Sequence, residues 1–471
     1  MSGEAGRLLA AALVLAAGLG KRMRSGTIKL LHPVWGRPMV AWVLDAVAAL
    51  PPARLLVVLG HQAPQMRAAL SAYEFQEVPQ ESQRGTGHAV LCARELLANH
   101  RGDLLILNGD LPLLTGAVLR RFHARHTRSG AVLSLLTTIP GDATGYGRVL
   151  RTGERVHRIV EERDASPEEK RIQEINCGIY LASIPPLLEA LDRLTTDNAQ
   201  GEYYLTDVVE ALATAGHRVQ GVLHPESREV LGVNDRKELA EAVALLGRQK
   251  NNQLMTAGVS IVDPAHTYID PRAAIGCDTV VYPDVWIEGA SSIGERCVIR
   301  PHVRLTRVQV GHDVLIKDSC VVQDSEIGPA AQIGPFAHLR PGSRLAERVK
   351  VGNFVETKKA ILGPGTKASH LSYLGDAALG ANVNVGAGTI TCNFDGTHKH
   401  RTTLEDGVFI GSDTQLVAPV RVGAGAYVGA GTTVTEDVPP GSLALSRVAQ
   451  RHIKGWVARK KARASKPKGG G

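Results

Sequence analysis

Aromatic side chains are scarce: four Trp, nine Tyr and six Phe make up 4% of the 471 residues. So few rings leave little material for the base-stacking platforms of single-strand or RNA-binding modules. The six cysteines (Cys92, Cys177, Cys277, Cys297, Cys320 and Cys392) are scattered, with no CxxC pair and no His at ligand spacing. Neither a disulfide framework nor a zinc site is thereby indicated, and a reducing, cytoplasmic location fits. Long apolar runs are missing as well. Leu8–Leu19 is too short to span a bilayer, so no stable membrane insertion is expected. That run reads either as a signal-peptide core behind Arg7 or as a buried first strand feeding a glycine loop. Glu4 offsets the Arg7 charge, and cleavage would discard the loop, which favours the strand. Finally, acids are missing from one place: Arg451 to the end holds eight basic residues and no acid, leaving 46 of each sign in the rest of the chain. The net charge of +8 therefore belongs to a tail, and no nucleic-acid surface is expected.

What is present is ordinary globular material, 44% hydrophobic and 21% charged, in a length that suits roughly two to four domains. In the first half, aliphatic runs at Leu13–Ala16, Leu55–Leu59, Asp103–Leu107, Val132–Thr137 and Gly178–Leu181 alternate with helical stretches. This alternation predicts a mostly parallel sheet covered by helices, with ligands at the carboxyl ends of the strands. A connecting helix is expected over 235–256, where Leu239, Ala242, Val243 and Leu246 form one apolar face.

After Gly258 the period changes to six. Ile269, Ile275, Val281, Ile287, Ile293, Ile299 and Leu305 form one ladder, and Leu404, Ile410, Leu416, Val422, Val428 and Val434 another. Many of these aliphatics precede a glycine, which predicts a solenoid of short strands whose sixth residues point inward, with the glycine easing each corner. Such hexapeptide repeats resemble the left-handed parallel β-helix of acyltransferases. Between about Asn384 and Thr403 the ladder breaks, so a longer loop is expected to leave the solenoid there.

Leu15–Met23 is a glycine turn behind a strand, with Arg22 and Lys29 adding fixed charge. Its backbone N–H groups suit a polyphosphate, although no Walker loop is present. Asn108, Gly109 and Asp110 close another strand, where a lone carboxylate can hold a hard metal ion or simply cap a helix. With Gln80, Gly85–His88, Gly145–Arg148, Glu161, Gln173–Asn176, Gly201–Asp207 and Asn234, these segments resemble the bacterial bifunctional N-acetylglucosamine-1-phosphate uridylyltransferase and glucosamine-1-phosphate N-acetyltransferase, over about residues 10–456. The resemblance implies an α/β nucleotidyltransferase with a Rossmann-like mixed sheet, followed by the all-β helix. It implies that Leu15, Ala16, Ala17, Gly18, Asn108 and Gly109 line the UTP site, with Arg22 and Lys29 catalytic. Gln80, Gly85 and Thr86 would meet uracil, Gly147, Glu161 and Asn176 the N-acetylglucosamine moiety, and Asp110 with Asn234 would bind Mg²⁺. Lys21 and Ile28 stand where the family commonly has Thr and Pro, and Asn108 replaces an aromatic.

In the solenoid, Leu339–Gly342, Asn353–Lys359, His370–Asp376 and Asn382–Asn393 resemble the family's acetyltransferase site. Taken alone, His370 reads more readily as an ordinary surface or core histidine than as a base. The resemblance makes it the general base, assigns Arg340, Lys358, Tyr373 and Asn384 to glucosamine-1-phosphate, and assigns Ala387, Asn393, Phe394, Ser412, Ala430 and Arg447 to acetyl-CoA. Lys399 would face the sugar site, and Phe394 lacks the hydroxyl of the family's usual Tyr. The resemblance also implies a homotrimer through the β-helix, in which the excursion loop completes a neighbour's site. Expected boundaries are 1–235 for uridylyl transfer, 236–257 for a linker helix, 258–458 for the β-helix and 459–471 for a disordered basic tail. A pyrophosphorylase whose β-helix only oligomerises remains the competing plan, disfavoured by the joint presence of His370, Asn384 and Asn393.

Overall fold

A computed structural model of the chain describes residues 9–18, 20–446 and 448–464. It divides into two compact units, Met1–Leu246 and Gly247–Gly471. In the first, Leu9–Leu15 is an aliphatic run buried on both faces, as a central strand requires, and it pairs in parallel with Leu55–Leu59 and Asp103–Asn108. Side chains alternate between two cores: Leu13, Leu56, Val58, Leu104 and Ile106 pack on one face, and Ala12, Val14, Val57, Leu105 and Leu107 on the other. The nine-stranded sheet runs Gln76–Pro79, Leu55–Leu59, Leu9–Leu15, Asp103–Asn108, Ile175–Ser183, Leu133–Thr138, Val219–Leu223, Arg155–Val160, Arg148–Thr152. Ile175–Ser183 is antiparallel to both neighbours, so the sheet is mixed. All five expected strands are present, within a few residues of their expected ends. The strands that pattern did not reveal include the edge strand Gln76–Pro79 and the Arg148–Val160 hairpin, which carry polar residues in place of an aliphatic run.

The connecting helix runs from Arg236 to Thr256, and the division between units falls inside it. Its early apolar face packs with Val34, Trp35, Met39 and Trp42, and the Trp35 indole donates to the Val243 carbonyl at 3.0 Å.

The second unit is a left-handed parallel β-helix of three sheets, with 11, 10 and 9 strands among the described residues, and up to the last coil each strand pairs with the third one on. Ile269↔Ile287↔Leu305 sets an 18-residue coil, and Leu305↔Val322↔Leu339 a 17-residue one. The shortened coils are why a strict six-residue ladder stops at Leu305. Two expectations change here. Most glycines after the inward aliphatics do not supply left-handed corners: Gly276, Gly294, Gly328, Gly411, Gly423 and Gly429 lack a positive φ, Gly334 alone of the set has one at +89°, and corners elsewhere fall on residues such as Asp278, Asp284, Arg296 and His302. These glycines answer close approach instead: a Cβ on Gly294 would lie 2.6 Å from the Gly311 carbonyl oxygen, and one on Gly328 2.6 Å from the Ala346 carbonyl carbon. The ladder also does not break at Asn384. Asn384–Val385 and Ile390–Cys392 remain strands, with Thr391 buried in the aliphatic slot and its hydroxyl donating to the Gly375 carbonyl at 3.0 Å. The excursion is the shorter stretch between Cys392 and Thr402.

The start of the expected disordered tail is instead helical, from Trp456 to Ala464. Ala, Lys and Arg are strong helix formers, and Lys460 lies over the Trp456 ring one turn back, at 4.8 Å.

Candidate active sites

The carboxyl ends of the parallel strands gather the first set of predicted residues. The loop after Leu15 turns at Gly20 with φ +59°, and a Cβ there would collide with the stem of Lys29, so the glycine both turns the chain and admits that side chain. Gly109 N–H donates to the Leu15 carbonyl at 3.0 Å, locking the two strand ends together. Lys29 Nζ donates to Asp110 Oδ2 at 2.5 Å and to Asn234 Oδ1 at 2.8 Å, so three distant segments converge on one ammonium group. Asn234 is held in turn: its N–H donates to Glu238 Oε2 at 2.5 Å, and the Val233 N–H donates to the Asp110 carbonyl at 2.8 Å. Arg22 is exposed beside this cluster, and its charge and that of Asp110 both act on Tyr146, whose hydroxyl is pushed up to about 12, mainly by burial. Asn108 projects over Gly178, where φ is +71° and a Cβ would lie 2.5 Å from the Asn108 amide nitrogen. The amide thus occupies space that only glycine opposite can leave. The Ala17 carbonyl accepts from the Gln83 amide, tying the glycine loop to the segment before Gly85.

Gln80 is buried, with its amide donating to the Gly85 carbonyl at 3.2 Å and meeting His88 Nδ1 at 3.1 Å. Thr86 Oγ1 accepts from Leu205 N–H at 3.1 Å, and Gly85 must be glycine because a Cβ would meet the Tyr203 carbonyl at 2.5 Å. The segment around Tyr203–Thr206 therefore braces the Gln80, Gly85 and Thr86 group. Next to it, Asn176 N–H donates to the Gly147 carbonyl at 3.0 Å, and Gly147 faces Glu161. Burial raises the Glu161 carboxyl above its ordinary value, while Thr206 donates to it at 3.2 Å. Asp207 is raised to about 6 by burial and by Glu210 and Asp164.

In the β-helix, His370 and Asn353 stand opposite each other on adjacent coils, with His370 Nδ1 2.8 Å from Asn353 Oδ1. The amide oxygen can only accept, so Nδ1 carries the proton and Nε2 is left as a base. Around the next corner lies Tyr373, its hydroxyl over Gly375, in register with Glu356. Arg340 donates to Glu356 Oε1 at 2.8 Å, which keeps its guanidinium raised. Asp376 gathers the remainder: Lys358 Nζ lies 3.5 Å from its Oδ2, and Asn393 donates to that oxygen at 2.5 Å. Lys399 also reaches Lys358, and that neighbouring charge lowers the Lys399 ammonium. Phe394 and Lys399 close the excursion as an antiparallel bridge, with Phe394 exposed and Asn393 buried. Asn384 lies on the following coil of the His370 sheet, in register with Lys367. Ala387, Ser412 and Ala430 share one corner in successive coils, linked by Asp413 N–H to Ala387 O at 2.7 Å and Gly431 N–H to Ser412 O at 2.8 Å. Arg447 and the Lys21 side chain lie outside the described residues.

The model of the MobA-like NTP transferase domain matches residues 12–175, and that of the bacterial transferase hexapeptide (six repeats) matches 401–436. Proteins named bifunctional protein GlmU are similar along the whole chain. The one from Trichlorobacter lovleyi is 48% identical over 96% of this chain and 99% of its own length. That of Syntrophotalea carbinolica is 50% identical over 95% and 97%, and that of Koribacter versatilis 44% over 97% and 98%. The chain belongs to the GlmU family. It is a bifunctional enzyme with uridylyltransferase and acetyltransferase activities, built from a nucleotidyltransferase unit and a hexapeptide-repeat unit. Within this chain, Asn353, Glu356, Asp376, Thr206 and Glu238 also belong to the two clusters. The motif segments held Asn353, Glu356, Asp376 and Thr206 without assigning them roles. Their signal is spatial: each meets an assigned residue from an adjacent coil or a distant loop.

Proposed function

We propose that the first unit transfers uridylyl from UTP to N-acetylglucosamine-1-phosphate, and that the second acetylates glucosamine-1-phosphate with acetyl-CoA, the acetylation coming first. The observation that carries the reading is the convergence of Lys29, Asp110 and Asn234 from three segments at the strand ends. Asp110 and Asn234 offer two oxygens to one cation, and the Lys29 ammonium between them supports a cation there. Two protein oxygens suit Mg²⁺, which keeps waters and substrate phosphates as its other ligands. When bound, Mg²⁺ would neutralise charge on the phosphates. Arg22 and Lys29 neutralise phosphate charge as well, and the loop of Leu15, Ala16, Ala17 and Gly18 offers backbone N–H groups beside Asn108 and Gly109. Gln80, Gly85 and Thr86 hold uracil, and Gly147, Glu161 and Asn176 hold the sugar, so the sugar-phosphate oxygen is aligned with the α-phosphorus. Rate then comes from positioning and charge neutralisation, with no protein nucleophile.

In the second reaction, His370 Nε2 accepts the proton of the attacking amine while Asn353 fixes the ring. Arg340 and Lys358 hold the sugar phosphate as fork and point charge, with Tyr373, Asn384 and Lys399 at the sugar. The corner of Ala387, Ser412 and Ala430, with Asn393, Phe394 and Arg447, takes acetyl-CoA. Phe336, Phe354 and Leu371 form an exposed apolar edge beside Asn353 and His370, which supports a homotrimer whose neighbouring subunit covers that edge. No helix among the described residues is long and apolar enough to cross a membrane, and the scattered free cysteines support a cytoplasmic location.

The test is two assays on one purified protein: thiol release from acetyl-CoA with glucosamine-1-phosphate, and pyrophosphate release from UTP with N-acetylglucosamine-1-phosphate. Both products are expected, each dependent on its sugar phosphate. Absence of either removes the corresponding assignment.

A further inference from the structure

The seat between Asp110 and Asn234 is already filled by a cation of the chain itself. Lys29 Nζ bonds both oxygens, at 2.5 and 2.8 Å, and both members of the Lys29–Asp110 ion pair are largely shielded from solvent. The two oxygens are set before any ligand arrives. Gly232 lies so close to Asp110 that a Cβ would stand 2.9 Å from Oδ1, and Glu238 holds the Asn234 backbone. The ammonium, by contrast, ends a stem of four rotatable bonds that lies against Gly20 in the phosphate loop. A divalent ion and an ammonium cannot share one carboxylate oxygen at these distances without strong mutual repulsion.

We propose that Lys29 is the resident cation of the metal seat, and that it leaves only when nucleotide phosphates offer it a new partner. The divalent ion then enters with the nucleotide and not before it. The proposal rests on the assignment of Asp110 and Asn234 to the metal. It adds that Lys29 sets the order in which metal and nucleotide bind, apart from any contact it makes during transfer.

Mn²⁺ binding to the full-length protein, read by the loss of the free-ion electron paramagnetic resonance signal, tests it. Nucleotide-free protein is expected to bind Mn²⁺ weakly at this seat. Lys29→Met is expected to bind at least about tenfold more tightly, and Asp110→Asn placed on that background to lose the gain. Lys29→Gln serves as a second variant, and circular dichroism reports folding of each. Equal affinity in wild type and both Lys29 variants overturns the exchange, as does tight, Asp110-dependent Mn²⁺ binding by the wild-type protein without UTP. The underlying assignment fails by a different result: with UTP present, an enzyme-bound Mn²⁺ spectrum that is the same in wild type and Asp110→Asn removes Asp110 from the metal, and the exchange at that carboxylate falls with it.

Discussion

At the scale of the residue, the proposed roles place each activity on a few side chains of its own unit, so the two should separate by mutation. Asp110→Asn keeps the shape of the seat and removes its charge. Uridylyl transfer is expected to fall about 100-fold or more while acetyl transfer continues. The reciprocal change, His370→Ala, should lower acetyl transfer by about 10²–10⁴-fold and leave pyrophosphate release intact; loss of both activities in either variant would instead indicate unfolding. Asp207 carries a pH dependence. Its folded value, about 6, lies above the ordinary 3.8, so ionisation opposes folding. Its contribution to stability is full below about pH 4 and is lost as the pH rises to about 6. Asp207→Asn should therefore flatten the melting temperature of the first unit across that window, and an unchanged slope would show that the group titrates normally.

At the scale of the element, the β-helix depends on glycine for proximity. Gly328→Ala sets a methyl 2.6 Å from the next coil's backbone, which cannot rotate away. A loss of about 1–3 kcal/mol is expected, visible as a lowered melting temperature. The same change at Gly425, where nothing lies within 4 Å but φ is +64°, tests backbone strain without a clash and should cost less. Element boundaries were legible where aliphatic residues marked them: Leu55–Leu59 and the Arg236–Thr256 helix stand almost where their patterns place them. They were illegible where polar residues took interior or edge positions. Thr391 fills an inward slot because its hydroxyl finds a backbone partner on the adjacent coil, and no periodicity in apolar residues records that.

At the scale of the whole molecule, the exposed edge of Phe336, Phe354 and Leu371 bears on assembly. Phe354→Asp combined with Leu371→Asp should convert the expected trimer to smaller species by light scattering. Acetyl transfer should fall with it, while uridylyl transfer, contained in the first unit, persists. Retention of a trimer would place the interface on another face.

The sequence by itself determined the two architectures, the motif segments of each and the location of the excess positive charge. Those depend on local period, on short motifs and on composition, which a linear chain carries openly. Only the tertiary structure decided that Asn353 holds His370, that Asp376 ties Lys358 to Asn393, and that Lys29 fills the seat between Asp110 and Asn234. In each case the partners lie 17 to 205 positions apart. Their meeting is set by coil length, strand order and glycine close approach, and these follow from how whole elements pack.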